Sequence, residues 1–288
     1  MENLKNVKIT QSLRIRNMHL PSHAIMALWA IVVIFPLYIM VTGSFKGKLE
    51  IYENTFGLPR QFNISNYAYI FSEENFLVYF KNSFIAVTVS LILVLALGVL
   101  IAYALANWRN KISNAVYFLF IAGMTIPLKI ASIRLLEIIK SLGLLSSIWG
   151  LVPIYVAMGL PIAVFVITEF IRQLPRGLIE AALVDGASHF KIMLNIVLPL
   201  TRPALASVAI YNLIPFWNDL WFPMVLQLDA TKDSMTLILG VTRLFGQYKT
   251  DWSRVLAVLT LASIPVFTLY LLMSQQFIKG MTSGAIKE

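Results

Sequence analysis

Apolar residues run through this chain in long, nearly unbroken stretches separated by shorter polar ones. Six of them approach the ~20 residues that an α-helix needs to cross a hydrocarbon core. They fall at about 24–45, 83–106, 113–133, 148–171, 204–226 and 255–273. None alternates with the period of two that marks a barrel strand, so each predicts a helix. The expected fold is an all-α membrane protein with six transmembrane helices. The third run is the least regular, because Lys129 lies near its end.

A polar tail bearing Lys5, Lys8, Arg14 and Arg16 precedes the first run. This resembles a signal peptide, but the run is too long for one and no small-residue cleavage site follows, so it reads as an uncleaved first span. The expected organisation is a tail over 1–23, a six-span domain over 24–273 and a second tail over 274–288, with both tails in the cytoplasm. The positive-inside rule supports that orientation weakly. Of the 23 Lys and Arg residues, 12 would lie inside and 11 outside, and the "WRNK" turn at 108–111 helps. The outer connections are then 46–82, 134–147 and 227–254. Around the middle one, Arg134, Glu137 and Ser141 share one helical face and Ile133, Leu136 and Ile139 another, which predicts a short interfacial helix. Gly98, Ala102 and Ala106 form a ridge of small residues suited to close helix packing. Pro36, Pro127, Pro161, Pro215 and Pro265 fall inside five of the runs. Each frees a backbone carbonyl, which kinked helices around a wetted path and an ordinary packed bundle can both satisfy.

Between the fourth and fifth runs the chain turns polar. Pro175 suits the first turn of a helix, and "RGLIEAALV" gives about two turns. Asp185-Gly186 is a turn signal, with Gly186 free to take positive φ. Ser188 can cap a second helix, "HFKIMLNIV", which Pro199 should end. The expected helix–turn–helix is too polar to span and too apolar to float in water, so its turn should project from the inner face.

The spacing Glu180-Ala181-Ala182, three residues, Gly186, nine residues, Ile196-x-Leu198-Pro199 is complete. It resembles the EAA loop in the permease subunits of ABC importers. "WNDLWFPMVL" (217–226), "LFGQYKTDW" (244–252), "YFKNSFIAVTVS" (79–90) and "QFIKGMTSGAIK" (276–287) are similar to the carbohydrate branch, in particular to its maltose-type G permeases. The resemblance covers roughly 20–288. It implies a permease subunit of an ATP-driven, binding-protein-dependent sugar importer, an oligosaccharide importer by its branch, in a bacterial inner membrane. It also implies a second homologous, non-identical permease, two ATPase subunits and an extracytoplasmic solute-binding protein. Glu180, Ala181, Ala182, Asp185, Gly186, Ala187, Ile196, Leu198 and Pro199 would then couple to the ATPase, which would bind the ATP and magnesium. Phe245, Gly246, Gln247 and Tyr248 would meet the binding protein.

Composition agrees with a membrane chain. Of its 288 residues 58% are hydrophobic and 13% charged, and the mean hydropathy is +0.77. The charged share is about half the ~25% of a soluble domain. The net charge of +9 lies scattered over tails and loops, which suits lipid contact and topology rather than nucleic acid. With no cysteine, thiolate metal sites and cysteine nucleophiles are excluded. His19, His23 and His189 form no metal or catalytic motif, and "GSFKGK" at 43–48 lacks the spacing and the Ser/Thr of a phosphate loop. No cofactor is expected in this chain, and no enzyme constellation can be assembled. The competing class is an ion-coupled secondary transporter using Asp219, the one deep carboxylate. Glu169, near the inner end of its span, can snorkel. For sugar contact the candidates are Tyr211, Asn212, Phe216, Trp217, Asn218 and Asp219, which combine aromatic faces with hydroxyl-pairing groups.

Overall fold

The structure, a computed structural model, describes residues 20–73, 75–108, 110–227, 234–242, 244 and 250–283. In chain order the helices are α1 (Leu20–Ser44), α2 (Glu50–Glu53), α3 (Ser65–Glu73), α4 (Phe76–Asn107), α5 (Lys111–Met124), α6 (Ser132–Ser141), α7 (Leu151–Arg172), α8 (Arg176–Val184), α9 (His189–Leu200), α10 (Arg202–Trp217), α11 (Trp221–Leu226), α12 (Leu237–Thr242) and α13 (Trp252–Ser283). Among the described residues there is no strand. Four of these helices, α1, α4, α7 and α13, are long and apolar enough to cross a membrane, and two bent pairs bring the number to six if each is one span. The pairs are α5 with Leu128–Ser141, bent by 83°, and α9 with α10, bent by 74°.

Packing divides the chain into two compact units, Met1–Tyr69 with Gly246–Thr260, and Ile70–Phe245 with Leu261–Glu288. In the first, Lys46 is fully buried, and its Nζ donates to the carbonyls of Asn54 (2.7 Å) and Thr55 (3.1 Å). Burial lowers its pKa, against the opposing pull of the Glu50 carboxylate. Asn66 Nδ2 donates to the carbonyls of Ser44 and Lys46, each at 2.9 Å. Of the two lysines of "GSFKGK", Lys46 is thus spent on the backbone of its own loop, while Lys48 is exposed.

In the second unit α4 packs along α7. A Cβ at Gly98 would stand 3.0 Å from Ala163 Cβ and 3.3 Å from Ile167 Cδ1, so the helices meet at the small-residue ridge. Ala102 and Ala106 on that ridge are buried. Gly98→Leu must force these helices apart, at a cost of about 1–3 kcal/mol. The expected result is a lower melting temperature in detergent than wild type, with Gly98→Ala in between. Leu105, Tyr117 and Val164 extend the core onto α5. At the far end of α4, Asn82 Nδ2 donates to the Met235 carbonyl (2.9 Å) and Ser83 Oγ accepts from Leu237 N (2.8 Å), which fastens α12.

Several helix boundaries differ from expectation. The third run is not one continuous helix over 113–133, since α5 ends at Met124 and the chain turns at 125–127. Pro127 has no N–H and biases Ile126 away from helix. It therefore marks a break between two helices rather than lying inside one, and Lys129 belongs to the following 3₁₀ turn, Leu128–Ala131. α6 is the expected short helix, with an exposed Arg134–Glu137 pair at 2.7 Å. Its inward residues are Ser132 and Ile139, whereas Ile133 is 73% exposed. The fifth run is also broken. α10 stops at Trp217, and α11 begins only after Asn218–Leu220.

Candidate coupling loop and substrate path

The segment after α7 starts from a fixed base. In α7's last turn Glu169 Oε1 accepts from Arg172 Nη1 (2.8 Å) and from Tyr117 OH (2.6 Å). The Arg172 guanidinium lies 4.5 Å from the centre of the Tyr117 ring. Glu169 is thus held by α5 rather than extended alone toward solvent.

Pro175, extended at ψ 120°, precedes α8. α8 ends in a complete Schellman motif, with Gly186 N–H bonded to the Leu183 carbonyl (3.0 Å) and Ala187 N–H to the Ala182 carbonyl (2.9 Å). The motif requires a left-handed residue, and Gly186 supplies it at φ +78°. Asp185 N–H bonds to the Ala181 carbonyl (2.9 Å), which closes the last helical turn. Ser188 Oγ then accepts from Lys191 N–H (3.4 Å) at the start of α9.

The two halves of this hairpin differ in burial. α9 buries Ile192, Met193 and Val197, with Ile196 and Leu198 half-buried. His189 Nδ1 lies 3.0 Å from Tyr103 OH, and its ring meets those of Tyr103 and Trp108 edge to face. α8 buries no residue. Around its tip Val184 is 88% and Phe190 64% exposed, and Ala181, Asp185 and Gly186 are exposed too. Pro199 does not end the second helix. A π-turn over Met193–Val197 precedes it, the helix runs on to Leu200, and the bend comes at Thr201. Thr201, fully buried, donates from Oγ1 to the Val197 carbonyl (2.9 Å).

Glu180 is the fifth residue of α8 and is exposed. It faces a cavity of about 260 Å³ between α8 and the adjoining ends of α4 and α7, with Asn107, Arg172, Arg176, Ile179 and Leu183 around it. Among the described residues no hydrogen bond or ion pair engages its carboxylate.

The substrate-path candidates divide. Asn212, Phe216 and Trp217 turn into the chain's own packing. Asn212 Nδ2 donates to the Val208 carbonyl (3.0 Å), and its Oδ1 lies where a Cβ on Gly159 would clash. Phe216 stacks on Tyr155 at 4.9 Å, and Trp217 Nε1 donates to the Ala262 carbonyl (3.0 Å). Tyr211, 60% exposed, and Asn218 face outward. Asp219 is not within a helix. It sits in the break after α10, its Oδ2 accepting from Tyr155 OH (3.2 Å) and its Oδ1 from Trp221 N–H (3.1 Å). Phe245, Gly246, Gln247 and Tyr248 lie outside the described residues.

Sequence reasoning passed over Tyr117, Tyr155 and Trp221. For Tyr117 and Tyr155 the only signal is a polar-edged aromatic in an apolar run, which needs a hydrogen-bond partner once buried.

A model of the family described as binding-protein-dependent transport system inner membrane component matches residues 95–283. The chain is 37% identical over 263 residues to a Caldicellulosiruptor protein described as an ABC transporter permease, covering 91% of this chain and 94% of that one. It is 33% identical over 266 residues to the diacetylchitobiose uptake system permease protein NgcG of Streptomyces coelicolor, covering 92% and 88%. In fold it resembles a chain from the crystal structure of a bacterial ABC transporter involved in the import of the acidic polysaccharide alginate. There the TM-score is 0.78 at 19% identity, with 91% of this chain and 97% of that one covered. On the extent of the family match and the near full-length relatives, this chain belongs to the inner membrane components of binding-protein-dependent transport systems.

Proposed function

We propose that the chain is the permease subunit of an ATP-driven importer that takes a sugar, of oligosaccharide class, from an extracytoplasmic binding protein. The observation that carries this reading is the α8–Gly186–α9 hairpin. One half, α9, is anchored in the bundle, while α8 buries nothing and presents Val184 and a Glu180 with no partner among the described residues, and Phe190 at the start of α9 is exposed beside them. Exposed apolar groups around a rigid turn suit a protein partner. Here that partner is one of two ATPase subunits, which bind the ATP and magnesium, and this chain carries no catalytic step. Glu180, Ala181, Ala182, Asp185, Gly186 and Ala187 form the contact, and Ile196, Leu198 and Pro199 tie it to the spans. The hairpin and both tails, 1–23 and 274–288, face the cytoplasm, with residues 24–273 as the permease domain. A second, homologous and non-identical permease completes the pathway, to which the outward Tyr211 and Asn218 belong. The sugar class follows from relatives such as the diacetylchitobiose permease.

The ion-coupled alternative loses its main support, because both Asp219 oxygens are engaged in holding α11 and Tyr155 at a helix break. A tagged chain should co-purify with an ATPase and a second permease and take up sugar only with ATP. Sugar transport by this chain alone, driven by an ion gradient, would overturn the reading. A second expectation concerns the outer loop. A photo-crosslinker at Gln247 should capture the sugar-loaded binding protein from outside the cell, and capture only of cytoplasmic proteins would reverse the topology.

A further inference from the structure

The two broken runs break next to each other. The third gives way at Thr125–Pro127 and the fifth at Asn218–Leu220. Trp221, just past the second break, donates from Nε1 to Oγ of Ser132 (2.8 Å), just past the first. Lys129 Nζ lies 5.9 Å from the Trp221 ring centre, at the outer reach of a cation–π contact. Asp219 accepts the Trp221 backbone N–H (3.1 Å) and the Tyr155 hydroxyl (3.2 Å). Non-helical backbone at membrane depth is stable only where protein buries it or where it lines a wet cavity. Here it is not all buried, since Trp221 is 45% exposed and Asn218 and Lys129 are exposed as well.

We propose that these paired breaks form a sugar-contacting subsite with the Trp221 indole as its stacking platform. The indole is pinned at one edge through Nε1 and at its backbone through Asp219, so little rotamer freedom remains to be lost when a sugar ring lies on it. Asn218 and Lys129 offer hydrogen bonds to hydroxyls beside the ring. Lys129 and Asp219 balance in charge, so the site suits an uncharged oligosaccharide rather than an acidic one. Discontinuous helices are a recurring way to build transporter sites, because freed backbone groups point into the path. This inference rests on the importer reading above and adds the residues that meet the sugar.

The test uses the assembled complex with its binding protein, with N,N′-diacetylchitobiose and maltotriose as neutral probes and an alginate trisaccharide as the acidic one. Trp221→Ala should raise the KM for uptake of the transported neutral probe about tenfold while the complex still co-purifies. Trp221→Phe should recover most of that loss, and Ser132→Ala, which keeps the ring, should change KM less than Trp221→Ala. The chain has no cysteine of its own, so Asn218→Cys gives it a single thiol. That thiol should react with a water-soluble thiosulfonate and be protected several-fold during turnover with the neutral probe. An unchanged KM in Trp221→Ala, a thiol shielded by the second permease before sugar is added, or protection by the acidic probe alone would overturn the subsite. A wild-type chain that fails to assemble with an ATPase would instead remove the importer reading itself.

Discussion

Replacing Gly186 by tryptophan is expected to abolish sugar uptake while leaving the chain in the membrane at its normal level. The two halves of that expectation have separate physical origins. Gly186 has φ +78°, and a Cβ added there meets nothing within 4 Å. Inside this chain the change therefore costs only the left-handed backbone of an L-residue, about 1–2 kcal/mol. The bulk of the indole is felt outside the chain, at the exposed tip beside Val184 and Asp185 that is proposed to dock on the ATPase. Two milder variants separate backbone from bulk. Gly186→Asn tolerates the left-handed region and should keep much of the uptake. Gly186→Ala is strained but small and should keep an intermediate share. Uptake that follows bulk points to docking, whereas uptake that follows φ preference alone points to the Schellman turn. Wild-type uptake in the tryptophan variant at normal abundance would sink the assignment of this tip as a docking surface.

What could be read from the sequence depended on how local its cause was. The turn at Gly186, the start of α8 after Pro175 and the cap at Ser188 are set by residues a few positions apart, and all three stand in the structure. The break at Thr125–Pro127 was harder to see. Leu128, Ile130 and Ile133 keep the stretch apolar, and hydropathy does not distinguish a helix that crosses from one that turns aside. Pro199 misled for the opposite reason, because a π-turn and the buried Thr201 moved the bend beyond it. The aromatic run at 211–217 has the same composition whichever side faces inward, so only packing against Gly159, Tyr155 and Ala262 shows which residues are buried. Asp219 and Glu169 have tyrosine partners 64 and 52 residues away, a distance that no local pattern encodes.

Glu180→Arg is expected to uncouple ATP hydrolysis from sugar uptake, and an opposite charge swap on the ATPase should restore part of the coupling. A purely local role would be to favour the helix N-terminus, worth about 0.3–1 kcal/mol within the first turn. Glu180 is the fifth residue of α8, so that contribution has largely faded where it stands. Nor, among the described residues, does its carboxylate have a hydrogen bond or ion pair, although Arg172 and Arg176 border the same cavity; Arg172 is held by Glu169. What remains is a free carboxylate on a helix with no buried face, available to an Arg or Lys of the docking subunit. Removing one partner of such a pair costs about 3–5 kcal/mol when the contact is fully desolvated. The local and the paired roles part at rescue. If Glu180 only steadied α8, Glu180→Gln would be nearly silent and no ATPase substitution would repair Glu180→Arg. If it pairs across the interface, Glu180→Gln weakens coupling and the reversed pair regains it. A double-mutant cycle on sugar-stimulated ATP hydrolysis in the reconstituted complex measures the difference directly. A coupling energy indistinguishable from zero would assign Glu180 to its own helix and leave Val184 and Phe190 as the groups that dock.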